Sequence, residues 1–292
     1  MITKPMLAPN DSWDIQKDFV TFPCIGSPKI DGFRCYIKDG IPLTRSGKVQ
    51  PNKFIERTLT DLPCGLDGEL TAGDFRESTS HLRRYEGEPD FTYHIFDYVT
   101  DLNKPYLQRL EELNCLELPL FCKILPQYTF ENMEQLLEFE QWCLNEGYEG
   151  VMVRKPNGKY KTGRSTLKEG LLIKVKRFDD AEAIITGFIE QEENQNEAFE
   201  NELGYTSRST HKENMIGKNT LGALTVKDCK TGVEFKLGSG IGWTKEFKQE
   251  IWNNQANYVG KIITYKSLPC GGYDLPRNAT MKGFRESWDM GE

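Results

Sequence analysis

The sequence has few histidines and no closely paired cysteines. None of its three histidines has a zinc-ligand spacing, and its eight cysteines include no Cys-x-x-Cys pair, which argues against a structural zinc site. Cysteines scattered through a chain of 292 residues are typical of free thiols in a reducing compartment. The sequence therefore predicts a fold that depends on its apolar cores rather than on metals or disulfides.

Long apolar runs are also missing. No stretch approaches about 18 uninterrupted apolar residues, the length that a membrane helix needs, and the opening MITKPMLAPNDSW lacks the apolar segment of a signal peptide. The mean hydropathy of −0.58 describes a polar protein, which we expect in the cytoplasm and away from membranes. The length predicts two domains, large enough to bury sizeable cores.

Positive charge is scarce overall but concentrated in one segment. The net charge of −7 argues at first sight against a polyanionic partner, although the distribution of charge matters more than its sum. Between residues 150 and 177 the only acid is Glu169. The nine basic residues of this window are Arg154, Lys155, Lys159, Lys161, Arg164, Lys168, Lys174, Lys176 and Arg177. Such a patch fits either a solvated face or a surface for a polyanion.

The most informative segment is the hexapeptide Lys-Ile-Asp-Gly-Phe-Arg at residues 29–34. A lysine attacks phosphorus only after it loses its proton, so its pKa must fall from the ordinary value of about 10.4. Burial and neighbouring cations lower a lysine pKa in this way. Asp31 could then hold a metal ion or the attacking group, and Arg34 could clamp a phosphate with two hydrogen bonds. The alternative is a β-turn, because Asp-Gly is a common hairpin signal.

The rest of the chain predicts a mixture of strands and helices followed by a strand-rich region. Strands are predicted at 35–38, 43–45, 66–70, 91–99, 151–153 and 171–175, and helices at 106–113 and 130–144. Beyond residue 178, strands are predicted at 181–188, 221–226, 233–237 and 261–266, with one helix at 245–254. Several short strands with a single helix favour a five-stranded barrel of the oligonucleotide-binding type. We place the domain boundary near residues 179–181.

Three further positions each allow a functional and a structural interpretation. Arg45, in Thr-Arg-Ser-Gly, suits either a phosphate clamp or a surface turn. Asp67 and Glu69 are separated by one residue on a strand, so they would project the same way and offer carboxylates to ribose hydroxyls or Mg²⁺, unless they form an exposed polar edge. Phe96 either packs in the core or stacks on a base.

The second half of the chain adds a carboxylate and several cations. Glu149 precedes Gly150 at the start of a predicted strand, where it could bind Mg²⁺, although Glu-Gly also ends helices routinely. Lys174 and Lys176 alternate on an apolar strand and so face the same side. Two cations beside apolar neighbours are costly unless they meet an anion, so this pair predicts an anion site.

In chain order, these segments resemble the nucleotidyltransferase motifs of ATP-dependent DNA ligases, most of all the small viral ligases of the chlorella-virus type. The succession is KIDGFR, TRSG, DGEL, IFDY, EGVMVRK, LIKVK and a final arginine-rich segment, and it covers nearly the whole chain. The resemblance implies an α+β fold, with an adenylyltransferase (nucleotidyltransferase) domain of antiparallel sheets and helices at 1–179 and a small OB-fold β-barrel at 180–292. It implies an enzyme that uses ATP and Mg²⁺ or Mn²⁺ to seal 3′-OH/5′-phosphate nicks in duplex DNA, through a covalent lysyl-AMP and a DNA-adenylate.

The resemblance also assigns roles to single residues. Lys29 would attack the α-phosphate of ATP, while Lys174 and Lys176 would contact the AMP phosphate and help to keep Lys29 deprotonated. Asp31 and Arg34 would serve later steps at the nick. The implied ATP or AMP site comprises Lys29, Arg34, Arg45, Glu69, Phe96, Glu149, Lys174, Lys176, Arg277 and Arg285.

Within that site, the resemblance gives each contact a partner. Glu69 would bind the ribose, Phe96 would stack on adenine, and Glu149 would hold the divalent metal with Asp67 as a second ligand. Arg34 and Arg45 would lie near the 5′-phosphate of the nick. Arg277 and Arg285 would orient the pyrophosphate leaving group.

The implied DNA surface includes a latch-like insertion at about 190–218. Residues 204–212 look like the loop with which such ligases encircle nicked DNA. Seven acids in the insertion outnumber its cations, so we expect DNA contact only through residues 205–212. The DNA-binding residues would be Arg34, Arg45, Lys159, Lys161, Arg164, Tyr205, Arg208 and Lys212. The alternative for the insertion is a disordered surface loop.

Other functions share parts of the pattern. An RNA ligase or a GTP-using capping enzyme would share the Lys-x-Asp-Gly motif, and a non-catalytic nick-binding protein would share the β-barrel. The intact Lys29, Glu149, Lys174 and Lys176 favour an enzyme. We expect a monomer whose partners are ATP and nicked duplex DNA, with roles in DNA replication, repair or recombination. The likeness to viral enzymes also fits a virus-encoded protein that acts in a host cell.

Overall fold

A computed structural model of the chain describes residues 2–73, 75–200, 204, 206–268 and 275–285. The chain forms two compact units, Met1–Arg177 and Phe178–Glu292. Each unit has its own sheets and its own apolar core. Among the described residues, no helix combines the length and the apolar character needed to cross a membrane.

The first unit alternates strands with short helices. Its elements in chain order are α1 (Trp13–Gln16), β1 (Cys24–Pro28), β2 (Phe33–Lys38), β3 (Ile41–Thr44), α2 (Lys53–Thr60), β4 (Leu66–Thr71), α3 (Phe75–Leu82), β5 (Thr92–Tyr98), α4 (Tyr106–Asn114), β6 (Cys122–Ile124), β7 (Tyr128–Phe130), α5 (Met133–Asn145), β8 (Val151–Arg154) and β9 (Leu172–Val175). The predicted hairpin is present as β2 and β3, and its turn residues Asp39 and Gly40 both have positive φ, as a two-residue hairpin turn requires.

Two sheets form the body of this unit. One has the strand order β7-β1-β8-β9 and is antiparallel throughout. The other has the order β3-β2-β4-β5-β6, in which β6 alone runs parallel to its neighbour β5. An apolar cluster that includes Tyr36 from one sheet, Leu172 from the other and the buried ring of Tyr160 links the two sheets.

Helices cover the outer faces of both sheets. The side chain of Asn132 accepts a hydrogen bond from the backbone N–H of Gln135 and so caps α5. That cap explains why α5 begins at Met133, whereas the sequence predicts a helix from residue 130: Phe130 belongs to β7 and pairs with Cys24. α5 packs on the first sheet, and α2 and α4 bury their apolar faces against the second.

The second unit is a strand-rich barrel with one α-helix among its described residues. Its elements are β10 (Asp179–Asn194), β11 (Ala198–Glu200), β12 (Thr206–Arg208), β13 (Met215–Asp228), β14 (Glu234–Leu237), α6 (Lys245–Asn253), β15 (Ile262–Leu268) and β16 (Arg277–Phe284). Five of these strands form one antiparallel sheet in the order β14-β13-β10-β15-β16. A bridge between Gly240 and Met281 joins the segment after β14 to β16 and closes the sheet on itself. Strands that are mostly antiparallel, together with helices, give the predicted α+β class.

The insertion at 190–218 contains paired strands among its described residues. β10 continues to Asn194 and pairs with β13 from Met215 onward, and β11 pairs with β12. The sequence does not indicate the end of β10, because residues 190–194 are all exposed or half-buried and so show no apolar alternation. The alternative of a disordered surface loop therefore does not describe the paired strands of this segment, and its role as a latch stays a prediction. Tyr205 lies outside the described residues.

Candidate active site

Lys29 directly follows β1, whose five residues are all buried. Its backbone N–H donates to the carbonyl of Gly150 at 2.9 Å, and its carbonyl accepts from the N–H of Glu149 at 3.1 Å. Gly150 has a φ of +135°, and a Cβ at this position would lie 2.1 Å from the carbonyl oxygen of Val175. This close approach requires glycine, and it brings the ends of β1, β8 and β9 together.

The carboxylate of Glu149 lies between two lysines. One of its oxygens contacts the Nζ of Lys29, and the other accepts from the Nζ of Lys176 at 2.8 Å. Burial raises the pKa of Glu149, but the two ammonium groups outweigh burial and hold that pKa below its ordinary value. Burial lowers the pKa of Lys176, and the Glu149 carboxylate opposes that shift. The site therefore contains one ionised carboxylate shared by two cations.

Two neighbours extend this cluster. The pKa of Lys174 is lowered by burial and by the nearby cations Arg164, Lys176 and Lys29. Asp31 is half-buried and lies near enough to Lys176 to raise the pKa of that lysine. Lys174 lies on β9 and Lys176 directly after it, and both lysines interact electrostatically with Lys29.

A cleft of about 300 Å³ extends from Lys29 into the unit. It is lined by polar and apolar side chains from both sheets and from the N-terminal segment. The residues that the sequence nominates and that line the cleft are Lys29, Arg34, Arg45, Glu69, Phe96, Arg164 and Lys174. The fold thus places most of the implied nucleotide site of this unit around a single cavity.

Arg34 is already engaged by a carboxylate. Its Nε and Nη2 donate to the two oxygens of Asp67, each at 2.6 Å, and the hydroxyl of Tyr160 donates to Asp67 at 2.6 Å. Asp67 is fully buried. Its two oxygens support Arg34 and Tyr160 in this arrangement, which speaks against the predicted role of Asp67 as a second metal ligand. That role stays a prediction.

Glu69 lies two residues further along β4, opposite Arg34, and faces the cleft. Burial raises the pKa of its carboxyl to about 7, although Arg34 and Lys29 both act to lower it. Glu69 therefore titrates near neutral pH, and it can present either an ionised or a neutral carboxyl group to a ligand.

Phe96 combines the two interpretations that the sequence leaves open. Its ring is 6% exposed and packs as a core side chain, yet it also lines the cleft. The guanidinium carbon of Arg34 lies 4.6 Å from the ring centroid, and that of Arg154 lies 4.9 Å away. The sequence places Arg154 in the basic patch and gives it no role in the site. Its alternation with Met152 along β8, another residue that lines the cleft, is the signal that could have identified it.

Two polar atoms beside the cleft have no hydrogen-bond partner in the described part of the chain. They are the Oγ of Ser27, in a side chain that is 1% exposed, and the Nε of Arg154, in one that is 4% exposed. Buried polar groups are nearly always hydrogen-bonded in folded proteins. Unsatisfied groups at the wall of a cavity indicate where a ligand would bind.

The basic patch at 150–177 is partly neutralised by the protein itself. Lys161 pairs with Glu169 at 2.7 Å, and its hydrogen bond is the largest cause that lowers the pKa of Glu169 to about 2. Lys159 donates to the side chain of Asn103 at 3.3 Å, and Arg164 donates to a backbone carbonyl of the N-terminal segment. Arg45 is exposed in the turn after β3. These side chains remain candidates for DNA contacts, although three of the four already bond to other groups of the protein.

Four of the predicted basic residues belong to the second unit. Arg277 begins β16, and the Nε of Arg285 lies 2.8 Å from a carboxylate oxygen of Glu182. Arg208 donates to the carbonyl of Asn196 and so stabilises its own hairpin, while Lys212 is exposed. The roles that the sequence assigns to these four basic residues stay predictions.

The acidic residues suit one kind of metal ion. The described residues contain no cluster of three or more His, Cys, Asp or Glu side chains that could hold a metal by themselves. Mg²⁺ is commonly held by one or two carboxylates together with the phosphates of a substrate, so it does not need such a cluster. Glu149, whose carboxylate contacts the cleft-lining Lys29, fits that mode of binding.

Comparison with known proteins gives consistent matches. A family model described as the ATP dependent DNA ligase domain matches residues 5–176, and one described as the DNA ligase OB-like domain matches residues 216–285. A DNA ligase of Haemophilus influenzae is 27% identical over 262 residues, which is 87% of this chain and 84% of that protein. The crystal structure of Chlorella virus DNA ligase-adenylate is 34% identical with a TM-score of 0.55, covering 98% of this chain and 100% of that one. A structure of a Lig E DNA ligase, 22% identical with a TM-score of 0.69, covers 98% and 100% and shows the shared fold.

Proposed function

The chain belongs to the family of ATP-dependent DNA ligases, which seal nicks in DNA through an adenylate intermediate, and from this premise we propose which of its residues carry the reaction. Lys29 is the nucleophile that carries AMP. The observation behind this assignment is that Lys29 and Lys176 share the carboxylate of Glu149, and that Lys29 lines a cleft together with Glu69 and Lys174.

In the first step, the amine of Lys29 attacks the α-phosphorus of ATP. The ammonium of Lys29 first releases one proton to solvent; the nitrogen–phosphorus bond then forms as the bond to pyrophosphate breaks, and the second proton passes to solvent from the nitrogen. Glu149 then loses its ion pair with Lys29, while its pair with Lys176 keeps the carboxylate in place. Lys174 and Lys176 contact the AMP phosphate and stabilise its developing charge. A bound divalent cation, Mg²⁺ or Mn²⁺, would be held by Glu149 and would neutralise charge on the phosphates.

The remaining contacts follow the shape of the nucleotide and of the nick. Glu69 binds the ribose and Phe96 stacks on adenine. Arg34, supported by Asp67, and Arg45 act near the 5′-phosphate of the nick, where Asp31 also serves. DNA contacts come from Lys159, Lys161, Arg164, Tyr205, Arg208 and Lys212, and pyrophosphate contacts come from Arg277 and Arg285. We further assign residues 1–179 and 180–292 to two domains of a monomer that acts inside the cell.

Sealing of a single nick in labelled duplex DNA tests this function. We expect joined product with ATP and a divalent cation, little product with GTP, and preference for a DNA nick over an RNA nick. A Lys29→Ala variant should give no product, whereas Lys38→Ala, which changes a lysine at the end of β2, should seal like the wild type. Sealing by the Lys29→Ala variant would contradict the assignment. Efficient use of GTP or of RNA nicks would favour a capping enzyme or an RNA ligase instead.

A further inference from the structure

Arg154 is a buried cation for which the described part of the chain supplies no acid. Its side chain is 4% exposed, and its Nε has no hydrogen-bond partner. Two arginines that contact the same aromatic rings as Arg154 are different: Arg34 is paired through two hydrogen bonds with Asp67, and Arg109 in the same way with Asp97. Burying a charge without a partner is strongly unfavourable, so this group is retained for an acceptor that arrives with a ligand.

The described surroundings of Arg154 hold its side chain in place but accept no hydrogen bond from its Nε. Its guanidinium carbon lies 4.9 Å from the ring centroid of Phe96 and 5.0 Å from that of Tyr106. Cation–π contacts of this kind attract the charge to the ring faces. They leave N–H donors available, because a guanidinium carries five donors and no acceptor. Arg154 is therefore held against Phe96 and lines the cleft with unused donors.

The strand register separates the backbone of Arg154 from that of Lys29. On β8, Arg154 lies opposite Ile25 of β1, whereas the backbone of Lys29 bonds to Gly150. The four residues from Gly150 to Arg154 correspond to about 13 Å of extended strand. Arg154 thus lies at the end of the cleft that contains Phe96, away from the end that contains Lys29.

We propose that Arg154 donates a hydrogen bond to a ring nitrogen of the adenine of ATP while its guanidinium holds Phe96 in position to stack on the same base. This inference rests on the proposed function, in which the cleft binds ATP with its base against Phe96. The unsubstituted ring nitrogens of adenine are acceptors, so they complement a group that can only donate. A contact at the base stabilises bound ATP equally before and during the reaction, and it therefore acts on KM rather than on the maximal rate.

The first test is Arg154→Met, which keeps a long apolar side chain against both rings and removes the charge and the donors. We expect the KM for ATP in formation of the lysyl-AMP to rise about 10- to 100-fold, as for loss of a hydrogen bond to a charged group. The maximal rate should change little. The melting temperature should hold or rise, because a buried unpaired charge is replaced by an apolar side chain. A fall in melting temperature with unchanged KM would show a structural role only and would overturn the proposal.

The second test identifies the acceptor. Wild-type and Arg154→Met proteins are compared with 1-deaza-, 3-deaza- and 7-deaza-ATP, each of which replaces one ring nitrogen by C–H. One analogue should raise KM in the wild type by about the same factor as the substitution and should have no added effect in Arg154→Met. The proposal is wrong if every analogue has the same relative effect in both proteins. The control Arg57→Met, on the exposed side of α2, should behave like the wild type.

Failure of this proposal is distinguishable from failure of the proposed function. Wild-type protein that forms no adduct with ATP would remove the function and the inference together. Wild-type protein that forms the adduct, with analogue effects independent of Arg154, would leave the function intact and remove only the contact to the base.

Discussion

Replacing Asp67 by Asn should damage the stability of the first unit more than its use of metal. Asp67 is fully buried, and its carboxylate accepts two hydrogen bonds from Arg34 and one from Tyr160, all at 2.6 Å. Burial lowers the pKa of Arg34, but the charge and hydrogen bond of Asp67 outweigh that effect and raise the pKa above its ordinary value. The buried guanidinium thus depends on this carboxylate. An Asn at position 67 would leave it charged and only partly hydrogen-bonded.

The size of the effect follows from the geometry. Removing one partner of a buried ion pair costs about 3–5 kcal/mol of unfolding free energy, and the retained volume and oxygen of Asn place this substitution at the lower end. For a unit of this size, about 3 kcal/mol corresponds to a melting temperature lower by roughly 6–12 °C. Because the pair holds Arg34 at the cleft wall, nick sealing should also slow.

Differential scanning calorimetry of the wild type and of Asp67→Asn measures this shift. Asp39→Asn is the matched control, since Asp39 is exposed in the β2–β3 turn with a φ of +52°, a conformation that Asn adopts readily. The control should melt with the wild type. A second measurement, the Mg²⁺ concentration that gives half-maximal adduct formation, should be unchanged in Asp67→Asn. An unchanged melting temperature together with a raised Mg²⁺ requirement would refute this reasoning and restore Asp67 as a metal ligand.

Three other predictions concern charge. Between pH 4.5 and about 7, the folded protein keeps a proton on Glu69 that the unfolded chain has lost, so this group makes stability fall as pH rises through that window. The Glu69→Gln variant lacks this effect, so the melting temperature of the variant minus that of the wild type should be larger at about pH 8 than at about pH 5. A difference that does not change with pH would contradict the raised pKa of Glu69. Glu149→Gln leaves Lys29 and Lys176 without their shared acid and should slow adduct formation by about 10²–10³-fold, measured with α-labelled ATP, whereas a near wild-type rate would remove Glu149 from the mechanism. Affinity for nicked DNA should fall steeply with salt as basic residues in 150–177 displace counterions, and a flat response would exclude that patch as the DNA surface.

The sequence predicts local features of this protein well. The turn at Asp39-Gly40 has the residues that a positive φ demands, and the hairpin around it is present. The strand that carries Phe96 shows its pattern of β-branched and aromatic residues, and the structure has it as β5. The resemblance to ATP-dependent DNA ligases is confirmed by the matching family models, because an ordered set of motifs identifies a family even where each motif is ambiguous.

Contacts between distant residues are what the sequence does not reveal. Lys29 and Glu149 are 120 residues apart, and nothing local to either indicates that they form an ion pair. The partner of Arg34 is likewise visible only once β2 and β4 are paired, which shows Asp67 as a support for Arg34. The sequence alone does not distinguish Arg154 from its basic neighbours, because what sets this arginine apart is that its side chain is buried without a paired acid.

The central claim is that a single lysine carries AMP, and peptide mapping by mass spectrometry after incubation with ATP and Mg²⁺ tests it most directly. We expect the mass of one AMP on the peptide that contains Lys29, and no such mass anywhere in the Lys29→Ala variant. An adduct on another residue, or one that persists without Lys29, would contradict the account.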